Sequence, residues 1–424
     1  MMRSRMAREV IAGITTFLTM SYIVVVNPAI LSTPGTGMPF SGALTATVLV
    51  CFTMTLLMGL YAKLPFGVAP GMGLNAFFTY TLIINGGIGW PVALGIIFWA
   101  GVLFLLVSAT PLRERIAMAI PDTLRAATAA GIGILLTFIG LQSAGFVADH
   151  PVTLVGVGPL DHRSMLTLAG LFLAVWLSRH QNPLAYVASI AAVTAGALIG
   201  GWVTAPVQWL SAPDFSSVFF KLDMWGALSL ALVPAMITVM MTDLFDSLST
   251  FIGVAQAANL VDERGEPKNL RQGLIVDAVA TLGAGLFGSS SGTAYVESIA
   301  GIRMGGRTGL TAVVTALCFL PCLFIAPLAA AIPPYATAAV LILVGVSMFQ
   351  AVARVPFDRL ELAVPAYATL ILIPLTFSIT QGILWGFILH AALHVAVGRA
   401  RAVTAAAWGL AAASIALLVI EHAY

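Results

Sequence analysis

Two stretches decide the fold: PFGVAPGMGLNAFF (65–78) and GLFGSSSGTAYVES (285–298). Each sits inside a long apolar region, yet each is rich in glycine and interrupted by proline or serine. Glycine and proline weaken a continuous helix. Broken backbone at membrane depth survives only where it is buried in protein or lines a polar cavity. Paired broken segments at corresponding places in two halves of a chain point to a transporter's binding site. The plainer reading is a pair of glycine-rich packing helices.

The regions around these stretches read as membrane spans. The 424 residues are 60% apolar and only 8% charged. A soluble chain carries about a quarter charged residues, and this one could not cover its surface in water. A span needs roughly 20 apolar residues, and the chain offers such stretches almost end to end, about fourteen in all. The basic start and apolar run of residues 1–20 resemble a signal peptide. The run continues to Ile30 without a small-residue cleavage site, so a retained first span (10–31) is expected. Residues 403–420 form a further Ala-rich apolar stretch, read as an interfacial or docked helix.

The charges test that count. With the N-terminus on the cytoplasmic side, all of the 19 Lys and Arg residues except Arg163 and Lys221 fall inside. One missed span would scramble the alternation downstream. Fourteen spans divide into seven plus seven, and an odd number inserts the second copy upside down. The expected fold is therefore an all-α polytopic membrane protein built of two inverted seven-span repeats. They occupy 1–206 and 225–398, with a short tail helix in 399–424. The broken stretches fall in spans three (66–84) and ten (290–305), each third in its half.

Net charge is +2, and no basic tail or basic–aromatic interleaving marks a nucleic-acid partner. Cys318 and Cys322 are one turn apart around Pro321. With no His or third thiol nearby, they and Cys51 read as small buried hydrophobes rather than metal ligands. His390 and His394, a turn apart in span fourteen, read as packing residues on the same grounds. No metal or organic cofactor is expected.

The chemistry is expected on acids. Span eight contains PAMITVMMTDLFDSLSTFIG (234–253), which puts Asp243 and Asp246 on nearly one helical face. Glu297 follows the second broken stretch. A carboxylate at mid-bilayer costs about 2.5–3.5 kcal/mol on the mild insertion scale, and no Lys or Arg lies within these span cores. Such a group holds a proton or faces a wet cavity, which is what proton-coupled transport needs. Asp277, near the start of span nine, equally suits a helix N-terminus. Asp246 equally suits a brace between helices. Asn75 either bonds freed backbone or contacts substrate, and Asn27-Pro28 reads as a helix-end device.

A carboxylate accepts two parallel hydrogen bonds from adjacent N–H groups. A flat ring packs on an aromatic face, and Phe77, Phe78 and Tyr295 adjoin the breaks, with Phe17 and Tyr22 in span one. The residues alone lead to a neutral, planar, N–H-bearing solute.

The sequence resembles the guanine/hypoxanthine/adenine permease branch of the nucleobase–cation symporter-2 superfamily. The matching stretches are AGITTFLTMSYIVVVNPAIL (12–31), APGMGLNAFF (69–78), DTLRAATAAGIGILLTFIGLQ (122–142), TDLFDSLSTFIG (242–253) and GSSSGTAYVESIAGIRMGGRTGLTAV (288–313). The resemblance implies a core domain in 10–110 and 225–331 and a gate domain in 118–206 and 335–398. It implies short antiparallel strands opening spans three and ten, with the base bound between them. It places the substrate-binding acids on Asp243 and Glu297 and the span-three motif on Gly73 and Asn75. Phe77 and Thr293 complete the expected substrate contacts, and Asp246 is a second span-eight acid for coupling or bracing. The departures are peripheral: a short Ala-rich tail and a brief 257–272 loop. The implied activity is proton-coupled import of purine bases across the cytoplasmic membrane by alternating access, in a homodimer joined through the gate domain. Which carboxylate carries the proton, and which purine is preferred, stay open.

Two other classes compete. An anion carrier of the same architecture would offer a basic residue or bare helix N-termini at the site rather than two acids. An intramembrane aspartyl protease would share a proton between two aspartates. It would place them on different helices, one in a Gly-x-Gly-Asp context that is missing around Asp243 and Asp246.

Overall fold

The computed structural model describes residues 2–110, 121–258, 260 and 268–423. Arg113, Arg115 and Arg264 of the charge alternation, the expected gate start at 118 and half of the 257–272 loop lie outside them. Among the described residues, eight helices are long and apolar enough to cross a membrane. Four shorter apolar helices, the tail among them, follow the same plan.

The first half runs α1 (Met2–Met20), α2 (Ile23–Leu31), α3 (Phe40–Leu57), β1 (Val68–Pro70), α4 (Met72–Ala76), α5 (Trp90–Ala109), α6 (Asp122–Ser143), β2 (Val147–His150), β3 (Leu154–Val157), α7 (His162–Arg179) and α8 (Ala185–Ile199). The second runs α9 (Val233–Ala258), α10 (Leu270–Phe287), β4 (Gly292–Ala294), α11 (Ser298–Arg303), α12 (Gly309–Phe319), α13 (Ala326–Ala330), α14 (Pro334–Phe349), α15 (Leu360–Thr376), α16 (Ile379–Ala396) and α17 (Ala405–Ala423). The expected broken spans are β1–α4, prolonged by π-helical turns over Phe77–Asn85, and β4–α11.

Local chemistry sets the ends of several elements. Asp161 accepts the backbone N–H groups of Arg163 and Ser164 and starts α7. Thr308 and Ser378 cap α12 and α16 in the same way. Gly288 ends α10 at φ 96°, a left-handed turn that suits glycine. That turn sends the serine run back into the protein. Glu9, buried on α1, accepts the backbone N–H groups of Arg307 and Thr308 and the Thr311 hydroxyl at 2.5 Å. It thereby satisfies the start of α12 from across the bundle.

Three local features differ from the expected spans. Span one is broken at Ser21–Tyr22, between α1 and α2. Span eight does not begin as one helix at 225. Ser229 is extended (ψ 139°) between two short 3-10 turns, and α9 starts at Val233 ahead of Pro234, a residue whose fixed φ suits a first helical turn. Residues 147–157 form an antiparallel hairpin, β2–β3.

The helices pack in two groups. In one, α1 lies on α11 and α12, α3 on α10 and α12, and α5 on α9 and α10. In the other, α6 lies on α14 and α15, α15 on α16, and α14 on α7 and α8. The groups meet where α4 touches α6 and α9 touches α16, and α17 packs on α16. Small residues bring the backbones close, as in other membrane bundles. Gly59 and Gly309 face each other so closely that a Cβ on Gly59 would lie 2.5 Å from the Gly309 carbonyl.

Asp214 anchors the aqueous loop before α9. It accepts from the hydroxyls of Ser41 (2.8 Å), Ser217 (2.7 Å) and Ser216 (3.0 Å) and from two backbone N–H groups. Partial burial pushes its carboxyl up, but these hydrogen bonds outweigh it and hold the pKa at about 2, against an ordinary 3.8. A depressed carboxylate contributes stability in full above its unfolded pKa and loses it as pH falls through the folded value. Amide-exchange protection of Ser216 and Ser217 should therefore be flat from pH 7 to about 4 and fall only towards pH 2. Loss of protection already near pH 5 would contradict this anchoring.

Candidate functional site

β1 and β4 pair antiparallel, with Val68 opposite Ala294, Ala69 opposite Thr293 and Pro70 opposite Gly292. The two broken spans thus complete each other's backbone bonding in the middle of the first helix group. Several neighbouring backbone groups are bonded by side chains or by the opposite segment, as a buried backbone requires. The Thr55 hydroxyl accepts from the Val68 N–H and bonds the Val68 carbonyl, both at 2.9 Å. The Gly71 N–H donates to the Ser291 carbonyl at 2.8 Å. The Tyr295 hydroxyl donates to the Pro70 carbonyl at 2.5 Å, and the Gly67 N–H donates to the Ser298 hydroxyl at 3.0 Å.

The serine run fixes this pair to its surroundings, each hydroxyl in a different direction. Ser289 accepts from the Asn27 amide of α2 at 3.1 Å. Ser290 donates to the Asn75 amide oxygen of α4. Ser291 donates to Asp243 of α9 at 2.6 Å. Asn27 also donates to the Thr47 hydroxyl at 2.7 Å, so it is an internal pin of the site rather than a helix-end device. Three consecutive serines in an apolar run are the sequence signal of this pinning, beyond the helix break that they also imply.

The acids converge from three elements. Asp243 is fully buried behind β4. One carboxylate oxygen accepts from Ser291 and from Thr281 of α10, and the other has no hydrogen-bond partner among the described residues. Asp277, also fully buried, accepts the backbone N–H of Ala294 at 3.2 Å, beside the Ser247–Thr293 hydroxyl contact. It grips the second broken strand rather than merely opening α10. Asp246, one turn beyond Asp243, is half-buried and reaches a cavity. Glu297, half-buried beyond β4, accepts the Tyr22 hydroxyl at 2.8 Å, and Tyr22 packs edge-on against Tyr186 of α8 at 5.1 Å. The break in span one therefore aims its tyrosine at the span-ten acid. Asp246 is an electrostatic neighbour of each of the other three acids.

The cavity has a volume of about 640 Å³ and lies between the helix groups. Gly71, Gly73, Asp246 and Val296 line its inner part. It opens beside the start of α6, the second half of α9 and the turn that follows α14, where Asp122, Thr250 and Arg354 stand. Gly73 is required there, since a Cβ would meet Ile132 of α6 at 2.6 Å. Of the expected contacts, Gly73 and Asp246 line the cavity. Asp243, Asn75, Thr293 and Phe77 form the fully or nearly buried layer behind it, and Glu297 flanks it through its neighbours Val296 and Ile299. His390 and His394, 4.2 Å apart between ring centroids, lie outside this lining. Among the described residues no group of His, Cys, Asp and Glu is arranged to hold a metal.

Comparison with known proteins matches residues 7–385 to a model of the Permease family. The chain is 40% identical to the adenine permease AdeP of Escherichia coli strain K12, over 93% of this chain and 88% of that one. It is 38% identical to the guanine/hypoxanthine permease PbuO of Bacillus subtilis strain 168, over 93% of both. Among solved structures, the transmembrane domain of a cyanobacterial bicarbonate transporter, BicA, superposes with a TM-score of 0.65 at 19% identity. The match covers 90% of this chain and 97% of that one. It shows a shared two-domain, inverted-repeat fold.

Proposed function

The chain belongs to the nucleobase–cation symporter-2 permease family and is a multi-pass membrane transporter rather than an enzyme; from that premise we propose that it imports purine nucleobases in symport with protons. The observation that carries this reading is an acid, Asp246, lining a cavity at the paired broken strands, with Asp243, Asp277 and Glu297 as neighbouring carboxyl groups. An acid accepts the N–H edge of a neutral base. An anion would meet repulsion there, which disfavours the anion-carrier reading. The relatives named for adenine and for guanine/hypoxanthine support purines as the solute class.

Asp246 and Glu297 are assigned to the base, with the Gly71–Gly73 backbone against its other edge. Asp243, held by Ser291 and Thr281, is assigned to the proton and to positioning β4. This division exchanges the expected roles of Asp243 and Asp246; the place of Asp246 in the cavity lining supports it, and Glu297 flanks that lining through Val296 and Ile299. The core domain is assigned to the α1–α5 and α9–α13 group and the gate domain to α6–α8 and α14–α16, with the homodimer interface on the gate as the family resemblance implies. The charge alternation supports a cytoplasmic N-terminus in the cytoplasmic membrane, which makes the cavity mouth at Asp122 and Arg354 its inward opening.

Uptake of labelled hypoxanthine or adenine into cells making the protein should collapse to background with a protonophore at constant sodium. Uptake that survives the protonophore and follows an imposed sodium gradient would overturn proton coupling. Competition by guanine, hypoxanthine and adenine, but not by xanthine or uracil, would support the solute class. Equal competition by uracil would overturn it.

A further inference from the structure

The cavity is larger and more polarised than a bare base needs. Its 640 Å³ falls within the roughly 300–1,000 Å³ of pockets that enclose drug-sized ligands. Its inner end carries the acid Asp246 and the glycine backbone. Its mouth carries two guanidinium groups, Arg125 of α6 and Arg354 of the turn that ends α14. The two lie within electrostatic range of each other. The available counter-charge, Asp122, pairs with Arg125, but its side chain is 84% exposed, so solvent screens the pair. Two like charges lining one cavity mouth favour an anion between them.

Spacing along α6 sets the length of the ligand. Ile132 faces Gly73 at the inner end, and Arg125 is seven residues nearer the mouth. At 1.5 Å per residue that is about 10 Å. The distance suits a purine ring, a ribose and a 5′-phosphate laid end to end. A nucleoside alone would leave the guanidinium pair unused. A free phosphate would leave the acid end unused and gain nothing from it.

We propose that the inward cavity binds a purine nucleoside 5′-monophosphate, with the base at Asp246 and Gly71–Gly73 and the phosphate between Arg125 and Arg354. The base end of this site rests on the nucleobase reading above. The bound monophosphate occupies the base's place from the cytoplasmic side, with its phosphate at the cavity mouth. Its phosphomonoester carries close to two negative charges at neutral pH, with three acceptor oxygens for the two guanidinium forks. Import is then restrained by the phosphorylated form of the imported solute.

The test is displacement of labelled hypoxanthine or adenine from purified full-length protein. Inosine, guanosine and adenosine are compared with their 5′-monophosphates and with inorganic phosphate, in nanodiscs with and without phosphatidylglycerol. The monophosphate should displace the base at about ten-fold lower concentration than its nucleoside, as expected for a charge-assisted contact. Arg354→Gln should erase that advantage and leave the affinity for the base within about two-fold. Thermal stabilisation by the monophosphate, present in the wild type and lost in Arg354→Gln, reads the phosphate end without any labelled base. Equal displacement by nucleoside and monophosphate, or an advantage that survives both Arg354→Gln and Arg125→Gln, overturns the proposal. So does an advantage matched by inorganic phosphate or abolished by phosphatidylglycerol, which would make the pair a phosphate or lipid-headgroup site. Failure of every base to bind while the monophosphate still stabilises the protein would instead overturn the nucleobase reading.

Discussion

Replacing Asp246 with asparagine should reduce purine uptake at least a hundred-fold, with the protein still inserted in the membrane at wild-type abundance. Glu297→Gln should do the same. Each change keeps the side chain's shape and removes one acceptor for an N–H edge. A hydrogen bond to a charged group contributes about 1.5–3 kcal/mol, roughly ten- to a hundred-fold in affinity. Loss of a group that also sets the charge of the site removes turnover on top of binding. The two variants should differ in one respect. Glu297→Gln leaves Tyr22 with an amide oxygen to donate to, so the packing of Tyr22 on Tyr186 survives. Asp246→Asn leaves the buried hydrogen bonds of Asp243 untouched. Binding of labelled base to purified protein, measured beside uptake into cells, separates affinity from turnover. Full uptake in both variants would end the assignment of these acids to the base.

The second large effect is on assembly. Gly309→Val should abolish recovery of folded protein, whereas Gly409→Val should be tolerated. A Cβ on Gly309 would overlap the Gly59 carbonyl, and its three nearest atoms are all Gly59 backbone, which cannot swing aside. Overpacking a well-filled core costs typically about 1–3 kcal/mol. Here the clash is with a second helix, and separating α3 from α12 also loosens the contact of α1 with α12. Gly409 of α17 has nothing within 4 Å of an added Cβ. Size-exclusion profiles of the two variants in mild detergent give the comparison. A monodisperse Gly309→Val protein would show that the close approach is dispensable.

The sequence carries the architecture well because its signals are cumulative. Span length, charge alternation and the doubled Gly-rich break all follow from the cost of polar groups in lipid, and each constrains the others. The strands at β1 and β4 are expected at the positions where they occur. The hairpin at 147–157 is not, because an aqueous loop is under none of those constraints. The site is legible in its residue types but not in its layering. Asp243 and Asp246 are indistinguishable by spacing, and only their packing against α10 shows that one faces Ser291 and the other the cavity. Asn27 and Asp277 look like helix-end residues because their partners, Ser289 and Ala294, lie far away in sequence or on the other side of a chain reversal. Arg125 and Arg354 entered the reading only as counters of sidedness, since nothing local places them at one cavity mouth.

The pairing of β1 with β4 also bears on how the protein is made. Val68 and Ala294 are partners across most of the chain, and Ser290 reaches back to Asn75 and Ser289 to Asn27. Contacts this distant in sequence form late, after the intervening chain has been ordered. Until the second half is inserted, β1 carries backbone groups without their strand partner in an environment where water cannot substitute. The first half alone is thus a set of spans with an unfinished edge at its centre, a state that invites misassembly. The site therefore cannot be completed until the chain has been made as far as β4, more than two hundred residues after β1.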